Sequence, residues 1–528
     1  MGSLARRIGF TVATAVLCFG VAEIALQTLD EGAETVVSPL AYQRYSGSAF
    51  TPGREPGTRV YVSGRRRVVT NQKAGVRILV FGASAAYGEM FSPFTAFAGV
   101  SERLLRKANP ETPIEIVNLA HGGMGSRQVG EMAYRALEND DVDAIVVYTG
   151  NNEYHELRAL KARSDTYDPA AELLRRRLSA SALYRRLRDA IMPADSTLAP
   201  PEGETWLPIG RLDVTVDDAD RDLGVVLYRE HLESIADAAQ QRGVPLILTT
   251  VATNLRDHVD RGTPGVRSPE EQRALAELQG LSGSSPPKRF AAEAAARTDS
   301  ITSEGGLHTL GQLYLNARLV AEAKNAFERK ELAALRPMTS NRRLRDVVID
   351  APADWKVAVC DLAEAITNGA QHGIPGNDLF IDHCHPNAEG HKLLGEALAQ
   401  CITDLGLEGV SGALATKESL TPDPFRIDHY SGHRPIPGFK TNPPTADTSS
   451  MEGMAMAGHQ AFVMERYTDA LQSYQSVALD PSAPMSIHVS VGLTHLYLGN
   501  LGAAQEALRR AANSGVSGAD RILETLNP

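Results

Sequence analysis

Cysteine is scarce in this sequence, with four residues in a chain of 528. That number excludes a disulfide-rich scaffold, and the spacings contain no paired C-x-x-C of a zinc module. Cys360, Cys384 and Cys401 lie beyond the amino-terminal region. Three cysteines permit at most one internal disulfide, and the spacing leaves their pairing open.

Positive charge is not in excess either. The chain has 53 Lys and Arg residues against 64 Asp and Glu residues, for a net charge of −11. A broad nucleic-acid-binding face needs positive charge, so no nucleic-acid partner is expected. With 43% hydrophobic and 22% charged residues, the composition is that of an ordinary globular protein.

A long hydrophobic run occurs near the amino terminus. It covers residues 8–26, contains one charged residue, Glu23, and follows Arg6 and Arg7. A helix of this length spans about 28 Å, close to the hydrocarbon thickness of a bilayer. Residues 1–27 are therefore predicted to anchor the chain in a bacterial inner membrane, with the rest in the periplasm or outside. A cleaved signal peptide, which would leave a secreted protein, and a buried helix are the alternatives.

Short apolar runs rich in β-branched residues alternate with helical stretches. They lie at 77–82, 114–120, 144–150, 245–252 and 357–362. Strands that are apolar on both faces are typical of a parallel sheet covered by helices. The sequence therefore predicts an α/β fold with an open, doubly wound parallel sheet. Ligands of such sheets bind beyond the carboxyl ends of the strands, so chemistry is expected in the loops that follow them.

Three helical stretches share a spacing in which a glycine precedes a large residue by sixteen positions. The pairs are Gly311 and Phe327, Gly458 and Tyr474, and Gly492 and Leu508. Small residues where two helices meet resemble the pattern of the tetratricopeptide repeat. Such repeats present concave binding surfaces, so a protein partner is expected. Generic amphipathic helix pairs are the alternative.

These patterns divide the chain into segments. Residues 28–74 are predicted to form a tether, and 404–454, rich in Pro, Gly, Ser and Thr, a linker. The α/β pattern covers 75–263 and 346–403. A helical insertion with one repeat-like unit is predicted at 264–345, and further repeat-like helices are predicted at 455–528.

Loops after the predicted strands carry polar residues suited to catalysis. Ser84 follows the first strand at a tight turn that projects its hydroxyl above the sheet edge, and a glycine-rich loop follows the second strand at 118–126. Asn152 follows the third strand and can donate a hydrogen bond to an oxyanion. Beyond the fifth strand, Asp382 and His385 are three residues apart, so the carboxylate can orient the imidazole. Each motif taken alone also fits an ordinary turn or helix cap.

The last of these loops also contains potential metal ligands. They are His383, Cys384, His385 and His391. Adjacent side chains on a short loop diverge, which argues against a shared ion. The sequence is therefore predicted to have no metal site and no cofactor.

Serine, glycine, asparagine and histidine in this order along one sheet edge resemble the SGNH hydrolase family, also called GDSL-like hydrolases. The resemblance covers roughly 75–255 and 346–403 and implies a flavodoxin-like sheet. It further implies that Ser84 is the nucleophile, that His385 is the general base and that Asp382 orients His385.

The resemblance also implies an oxyanion hole. Its donors would be the Ser84 N–H, the Gly123 N–H and the side chain of Asn152. Gly123 is favoured over Gly122 because the family glycine usually falls five residues after the asparagine represented by Asn118.

The sequence departs from the family pattern at two positions. Ala83 replaces the acidic residue that commonly precedes the serine, and Glu153 replaces the Asp after Asn152. The whole pattern resembles the membrane-anchored, repeat-carrying bacterial branch of the family. Glu153, Asn254 and Arg256 are candidate pocket residues in this branch, although Arg256 could instead pair with Asp257.

The expected function is that of a serine esterase outside the cytoplasm, and its acyl-ester substrates include glycan-linked esters. An O-acyltransferase that uses the same serine and acts on a cell-envelope polysaccharide is the second alternative. A membrane-anchored repeat scaffold with an inert hydrolase domain is the third alternative.

Overall fold

The structure is a computed structural model that describes residues 50–52, 57–61, 67–139, 141–163, 168–179, 214–259, 268–411, 423–435 and 446–527. Of these, 157–163, 168–179 and 214–227 belong to one compact unit and all others to a second. The predicted anchor at 1–27 lies outside the described residues, as does much of the predicted tether. None of the described helices is long and apolar enough to cross a bilayer.

The described strands form two sheets. Their bounds are β1 (Phe50–Pro52), β2 (Thr58–Tyr61), β3 (Arg67–Thr70), β4 (Val76–Gly82), β5 (Ile114–Asn118), β6 (Ala144–Tyr148), β7 (Leu246–Thr249) and β8 (Ala358–Cys360). β1 to β3 pair antiparallel, and the other five strands form a parallel sheet in the order β5-β4-β6-β7-β8. This is the flavodoxin-like strand order, so the predicted α/β fold class is confirmed.

Helices flank the parallel sheet, interrupt it once and follow it. Their bounds are α1 (Ser84–Tyr87), α2 (Phe97–Ala108), α3 (Ser126–Asn139), α4 (Glu153–Arg163), α5 (Pro169–Ser179), α6 (Asp218–Arg242), α7 (Pro269–Leu281), α8 (Pro287–Ala295), α9 (Glu304–Asn316), α10 (Val320–Ala333), α11 (Arg342–Ile349), α12 (Leu362–Gly369), α13 (Ala388–Asp404), α14 (Met451–Val463), α15 (Tyr467–Ala478), α16 (Ile487–Tyr497), α17 (Leu501–Asn513) and α18 (Ala519–Glu524). Helices α7 to α11 lie between β7 and β8, the interval in which the sequence predicts a helical insertion at 264–345.

The core forms because the central strands are apolar along their whole length. All seven residues of β4 and all five of β6 are buried. Phe97 of α2 and Leu398 of α13 join Val80 of β4 in one hydrophobic core. The two helices meet closely at Gly395, where an added Cβ would lie 2.5 Å from Val100. Because α13 begins just after the Asp-x-x-His motif, this packing determines where that motif lies.

A disulfide joins Cys360 and Cys401, which answers the pairing that the sequence left open. Cys360 ends β8, the edge strand of the parallel sheet, and Cys401 lies on α13. Cys384 is a free, buried thiol. The disulfide therefore ties the helix after the Asp-x-x-His motif to the sheet covalently.

The expected contact of a small with a large residue is present in the helix pairs α9–α10, α14–α15 and α16–α17. An added Cβ would lie 2.4 to 2.7 Å from the large residue that follows each glycine by sixteen positions. The glycines are Gly311, Gly458 and Gly492. This contact is confirmed, whereas membership of the tetratricopeptide family stays a prediction.

Part of the predicted linker at 404–454 is packed against the fold. Ile427 is fully buried, and its N–H donates to Ser490 Oγ on α16 at 2.8 Å. Thr95, just before α2, donates its hydroxyl to the Tyr430 carbonyl at 2.7 Å. Residues 423–435 therefore contact both the C-terminal helices and the segment that follows Ser84.

We expect Gly458→Ala to lower the free energy of unfolding by about 1–3 kcal/mol, because the new methyl group overlaps the Tyr474 ring. Gly280→Ala is the matched control. Gly280 lies on α7, where an added Cβ meets no atom within 4 Å, so this change should stabilise by about 0.5–1 kcal/mol. Thermal unfolding of both variants measures the difference. Stabilisation by both substitutions would contradict the close packing of α14 on α15.

Candidate active site

Ser84 stands at the point where the central strand β4 turns into helix α1. Gly82 ends the strand, and an added Cβ there would lie 2.3 Å from the Tyr148 carbonyl oxygen, so glycine is required. Gly88 ends the short helix with a φ of 69°, in the left-handed region that glycine tolerates. These two glycines let the chain reverse tightly, and Ser84 lies half-buried at the carboxyl end of the sheet.

The loop that carries Asp382 and His385 is shaped by its own hydrogen bonds. Asp382 Oδ1 accepts from the backbone N–H groups of Cys384 and His385, at 2.9 and 2.8 Å. An aspartate that binds the N–H groups two and three residues ahead forms an Asx turn. Asn387 then caps α13 by accepting from the Gly390 N–H at 3.0 Å. Local sequence chemistry therefore bends the loop and starts the helix.

The fold brings Ser84, His385 and Asp382 into one hydrogen-bonded row. His385 Nε2 lies 2.8 Å from Ser84 Oγ, although the two residues are 301 positions apart in the sequence. His385 Nδ1 lies 2.7 Å from Asp382 Oδ2. A hydroxyl, an imidazole and a carboxylate in this order can move the hydroxyl proton to the imidazole and stabilise the resulting imidazolium.

Asp382 and His385 shift the pKa of each other in opposite directions. Burial disfavours the charged form of Asp382, but the hydrogen bond and charge of His385 outweigh it and hold the Asp382 pKa well below its usual range. Burial also lowers the pKa of His385, but the charge of Cys384 and the hydrogen bond to Asp382 raise it well above 6.5. The imidazole is therefore a stronger base than a free histidine.

The glycine-rich loop lies beside the serine. An added Cβ on Gly122 would be 4.0 Å from Ser84 Cβ, and Gly123 has a φ of 79°. Asn152, directly before α4, donates from Nδ2 to the Met124 carbonyl at 2.8 Å. The predicted oxyanion donors Gly123 and Asn152 thus belong to two neighbouring loops that are hydrogen-bonded to each other.

Glu153, a predicted pocket residue, forms a buried link between α3 and α4. Its carboxyl accepts from the Ser126 N–H at 3.0 Å and from the Ser126 hydroxyl at 2.6 Å. Burial, followed by the charge of Glu156, raises the pKa of Glu153 to about 8. These contacts hold the start of the helix that follows Asn152.

Asn254 supports the loop that carries Asp382 and His385. Its Nδ2 donates to the Asp382 carbonyl at 2.9 Å and to Asn377 Oδ1 at 2.8 Å. Its backbone N–H donates to the His383 carbonyl at 2.9 Å. The loop after β7 thus positions Asp382 and His385 through their backbone.

Arg256 is a buried ion-pair residue. It contacts Asp257 at 3.0 Å and Asp378 at 2.7 Å, and its Nη1 donates to the carbonyls of Gln371 and Ile374. This geometry matches the structural pairing with Asp257 that the sequence left open. The Arg256 side chain links the loop after β7 to the segment before Asp382.

Asp382, His383 and Cys384 are close enough to be considered as metal ligands. One ligand atom from each lies within 4.8 Å of the other two, so these side chains do not diverge as expected. His391 instead packs edge-to-face against Phe91. Both carboxylate oxygens of Asp382 already accept hydrogen bonds, so an ion here would compete with the contact to His385.

The structure also adds a residue that the sequence analysis missed. Glu89 Oε2 lies 3.9 Å from His385 Nε2, the same atom that meets Ser84. An added Cβ on Gly122 would be 3.5 Å from this oxygen. The signal available in the sequence was the position of Glu89 immediately after Gly88, which turns the chain back toward Ser84.

No protein-family model and no curated protein matches the chain. Among solved structures, it is similar to the lipase/acylhydrolase from Enterococcus faecalis, with 14% identity, a TM-score of 0.28 and coverage of 62% of this chain and 95% of that chain. A GDSL-like lipase from Bacteroides thetaiotaomicron has 12% identity, a TM-score of 0.26 and coverage of 62% and 88%. A catalytic mutant of an acetylxylan esterase from Geobacillus stearothermophilus has 12% identity, a TM-score of 0.28 and coverage of 65% and 100%. The neighbours are a lipase/acylhydrolase, a GDSL-like lipase and an acetylxylan esterase, all at low identity.

His385 must be neutral to accept the Ser84 proton, so labelling of Ser84 by a fluorophosphonate should weaken as pH falls through the His385 pKa. Because that pKa is raised, this loss should begin above pH 6.5. Asp382→Asn removes a group that raises the pKa, so the loss should move to lower pH, and the maximal rate should drop by about 10²- to 10⁴-fold.

Cys384→Ser is the companion variant for the pH profile. It removes the other group that raises the His385 pKa, so the profile should move to lower pH with a much smaller loss of rate. Labelling rates measured from pH 5 to 9 compare the three proteins. An unchanged profile in Asp382→Asn would contradict the pairing of His385 with Asp382.

Proposed function

We propose that the protein is a serine ester hydrolase of the SGNH type. Ser84 is the nucleophile, His385 the general base and Asp382 the residue that orients and stabilises His385. The observation that carries this proposal is the continuous row of contacts, 2.8 Å from Ser84 Oγ to His385 Nε2 and 2.7 Å from His385 Nδ1 to Asp382. A hydroxyl this close to a neutral imidazole can lose its proton as it attacks an acyl carbonyl.

The proposed reaction has two halves. Ser84 Oγ bonds to the carbonyl carbon while its proton moves to His385 Nε2, and Asp382 stabilises the imidazolium. His385 then donates that proton to the alcohol oxygen, the alcohol leaves and an acyl-serine remains. Water attacks the acyl-serine with His385 again as base, which releases the acid and restores the Ser84 hydroxyl.

We assign the oxyanion hole to the N–H groups of Ser84 and Gly123 and to the Asn152 amide. The position of Gly122 beside Ser84 supports a role for the glycine-rich loop. The Asn152 side-chain NH₂ has two N–H donors. One donates to the Met124 carbonyl, which fixes the amide, and the other is proposed to donate to the oxyanion. Fixed donors of this kind stabilise negative charge as it develops on the carbonyl oxygen.

We also propose a location outside the bacterial cytoplasm. The Cys360–Cys401 disulfide supports it, because disulfides persist in oxidising compartments and are rare in the cytosol. The hydrophobic run at 8–26 supports a membrane anchor at 1–27. A protein partner for the helix pairs α14–α15 and α16–α17 belongs to the same proposal.

The wild-type protein should hydrolyse a short-chain activated ester such as p-nitrophenyl acetate and react with a fluorophosphonate probe. Ser84→Ala should lose both reactions. Ser476→Ala is the matched control, because Ser476 is exposed on α15, and it should retain both. A folded wild-type protein that does neither would refute the proposal and favour the inert scaffold. Transfer of the acyl group to an added glycan, in place of free acid, would favour the acyltransferase.

Removal of the Asn152 amide should lower kcat for the same ester. We expect Asn152→Ala to lose about 10²- to 10³-fold, with a small change in KM, because the donor acts mainly in the transition state. Asn152→Asp keeps the shape but adds a negative charge near the oxyanion, so it should lose at least as much. Steady-state kinetics of the two variants measures this, and near-wild-type kcat in both would remove Asn152 from the oxyanion hole.

A further inference from the structure

The Glu89 carboxylate lies near the imidazole of His385 and has no role in the proposed mechanism. Glu89 Oε2 is 3.9 Å from His385 Nε2, while Ser84 Oγ is 2.8 Å from the same atom. The Glu89 side chain is 31% exposed, so the carboxylate is accessible from solvent.

The orientation of this carboxylate is fixed by the C-terminal part of the chain. Glu89 Oε1 accepts from Arg434 Nη2 at 2.8 Å, which leaves Oε2 directed toward His385. The Arg434 backbone N–H donates to the Met90 carbonyl at 2.6 Å, and Phe91 forms a β-bridge with His433. Residues 433–434 thus hold the turn that contains Glu89 through their own backbone and through the Arg434 side chain.

The backbone of this turn is strained. Met90 has a φ of 79°, in the left-handed region that side chains other than glycine rarely adopt. Such a conformation persists only where the surroundings impose it, and it is concentrated at functional sites. The chain therefore maintains an unfavourable backbone at the position where Glu89 meets His385.

The position of Glu89 beside His385 Nε2 indicates which part of the substrate it can contact. During acylation His385 Nε2 donates its proton to the oxygen of the departing alcohol, so that oxygen must come within hydrogen-bonding distance of Nε2. Substituents one or two bonds from this oxygen then lie within a few ångströms of Glu89 Oε2. A fixed carboxylate oxygen accepts hydrogen bonds from hydroxyl groups and repels negative charge.

We propose that Glu89 is a specificity-determining residue that accepts a hydrogen bond from a hydroxyl next to the ester oxygen on the alcohol part of the substrate. The substrates are then esters of polyhydroxylic alcohols such as sugar units, and alcohols with a carboxylate near the ester are excluded. This inference rests on the proposed ester hydrolysis and names its substrate class.

Three acetyl esters of similar size test the inference. They are 2-hydroxyethyl acetate, propyl acetate, in which a methyl group replaces the hydroxyl, and acetoxyacetate, which carries a negative charge. The wild type should prefer the hydroxyl ester over the propyl ester in kcat/KM by about tenfold, and it should disfavour acetoxyacetate.

Glu89→Gln should change the two preferences in opposite directions. The Gln carbonyl can replace Oε1 as the partner of Arg434, so an amide NH₂ replaces the acceptor beside His385. The advantage of the hydroxyl ester should fall by about tenfold, and the relative rate on acetoxyacetate should rise by about tenfold. A purely structural effect would lower all three rates together.

Two further variants complete the experiment. Glu506→Gln removes an exposed carboxylate on α17 and should leave both preferences as in the wild type. Arg434→Met releases Glu89 Oε1 without changing Glu89, and it should weaken the hydroxyl preference even where Glu89→Gln folds poorly. Wild-type ratios in both Glu89→Gln and Arg434→Met would overturn the inference. A wild-type protein that hydrolyses none of the three esters and is not labelled at Ser84 would instead contradict the proposed function.

Discussion

The hydrogen bond between His385 and Asp382 is the interaction on which the site depends, and the surrounding structure supports it in successive layers. The Asx turn of Asp382 shapes the loop, and Asn254 holds the loop by its backbone. The segment around Asn254 is held in turn by the helical insertion, where Lys330 on α10 donates to the carbonyls of Leu255 and His258, at 2.6 Å each. Burial lowers the Lys330 pKa to about 8, so its charge is expensive there. The insertion thus has a structural role in holding the loop that carries His385.

The C-terminal segments support the opposite side of the site. Tyr87, three residues after Ser84, donates its hydroxyl to Glu465, which follows α14. Arg434 holds Glu89, and Thr95 contacts the Tyr430 carbonyl. The serine turn is therefore held by residues that lie more than 300 positions away in the sequence. Variation in these C-terminal segments would change the serine side of the site without changing Ser84, His385 or Asp382.

Much of the fold was predictable because its signals are local. Runs of apolar, β-branched residues indicated the five parallel strands, and the tight turn after the first of them indicated the position of Ser84. The small-to-large spacing indicated the helix contacts at Gly458 and Gly492. A residue sixteen positions after each glycine lies on the second helix of the pair, directly beside that glycine. The site was less predictable. The local signal for Glu89 is no more than its position after Gly88, and its approach to His385 depends on the packing of distant segments.

The sequence by itself determined which groups are available and how each loop is locally shaped. A serine after a strand, an Asp-x-x-His turn and an asparagine cap are encoded within a few residues, through hydrogen bonds that the chain makes with its neighbours. The tertiary structure alone decided which of these groups meet. Parallel strand order brought Ser84 to His385, packing of α13 on the sheet paired Cys360 with Cys401, and the C-terminal chain turned Glu89 toward the imidazole. Such contacts depend on burial and chain topology over hundreds of residues, and no short stretch of sequence contains them.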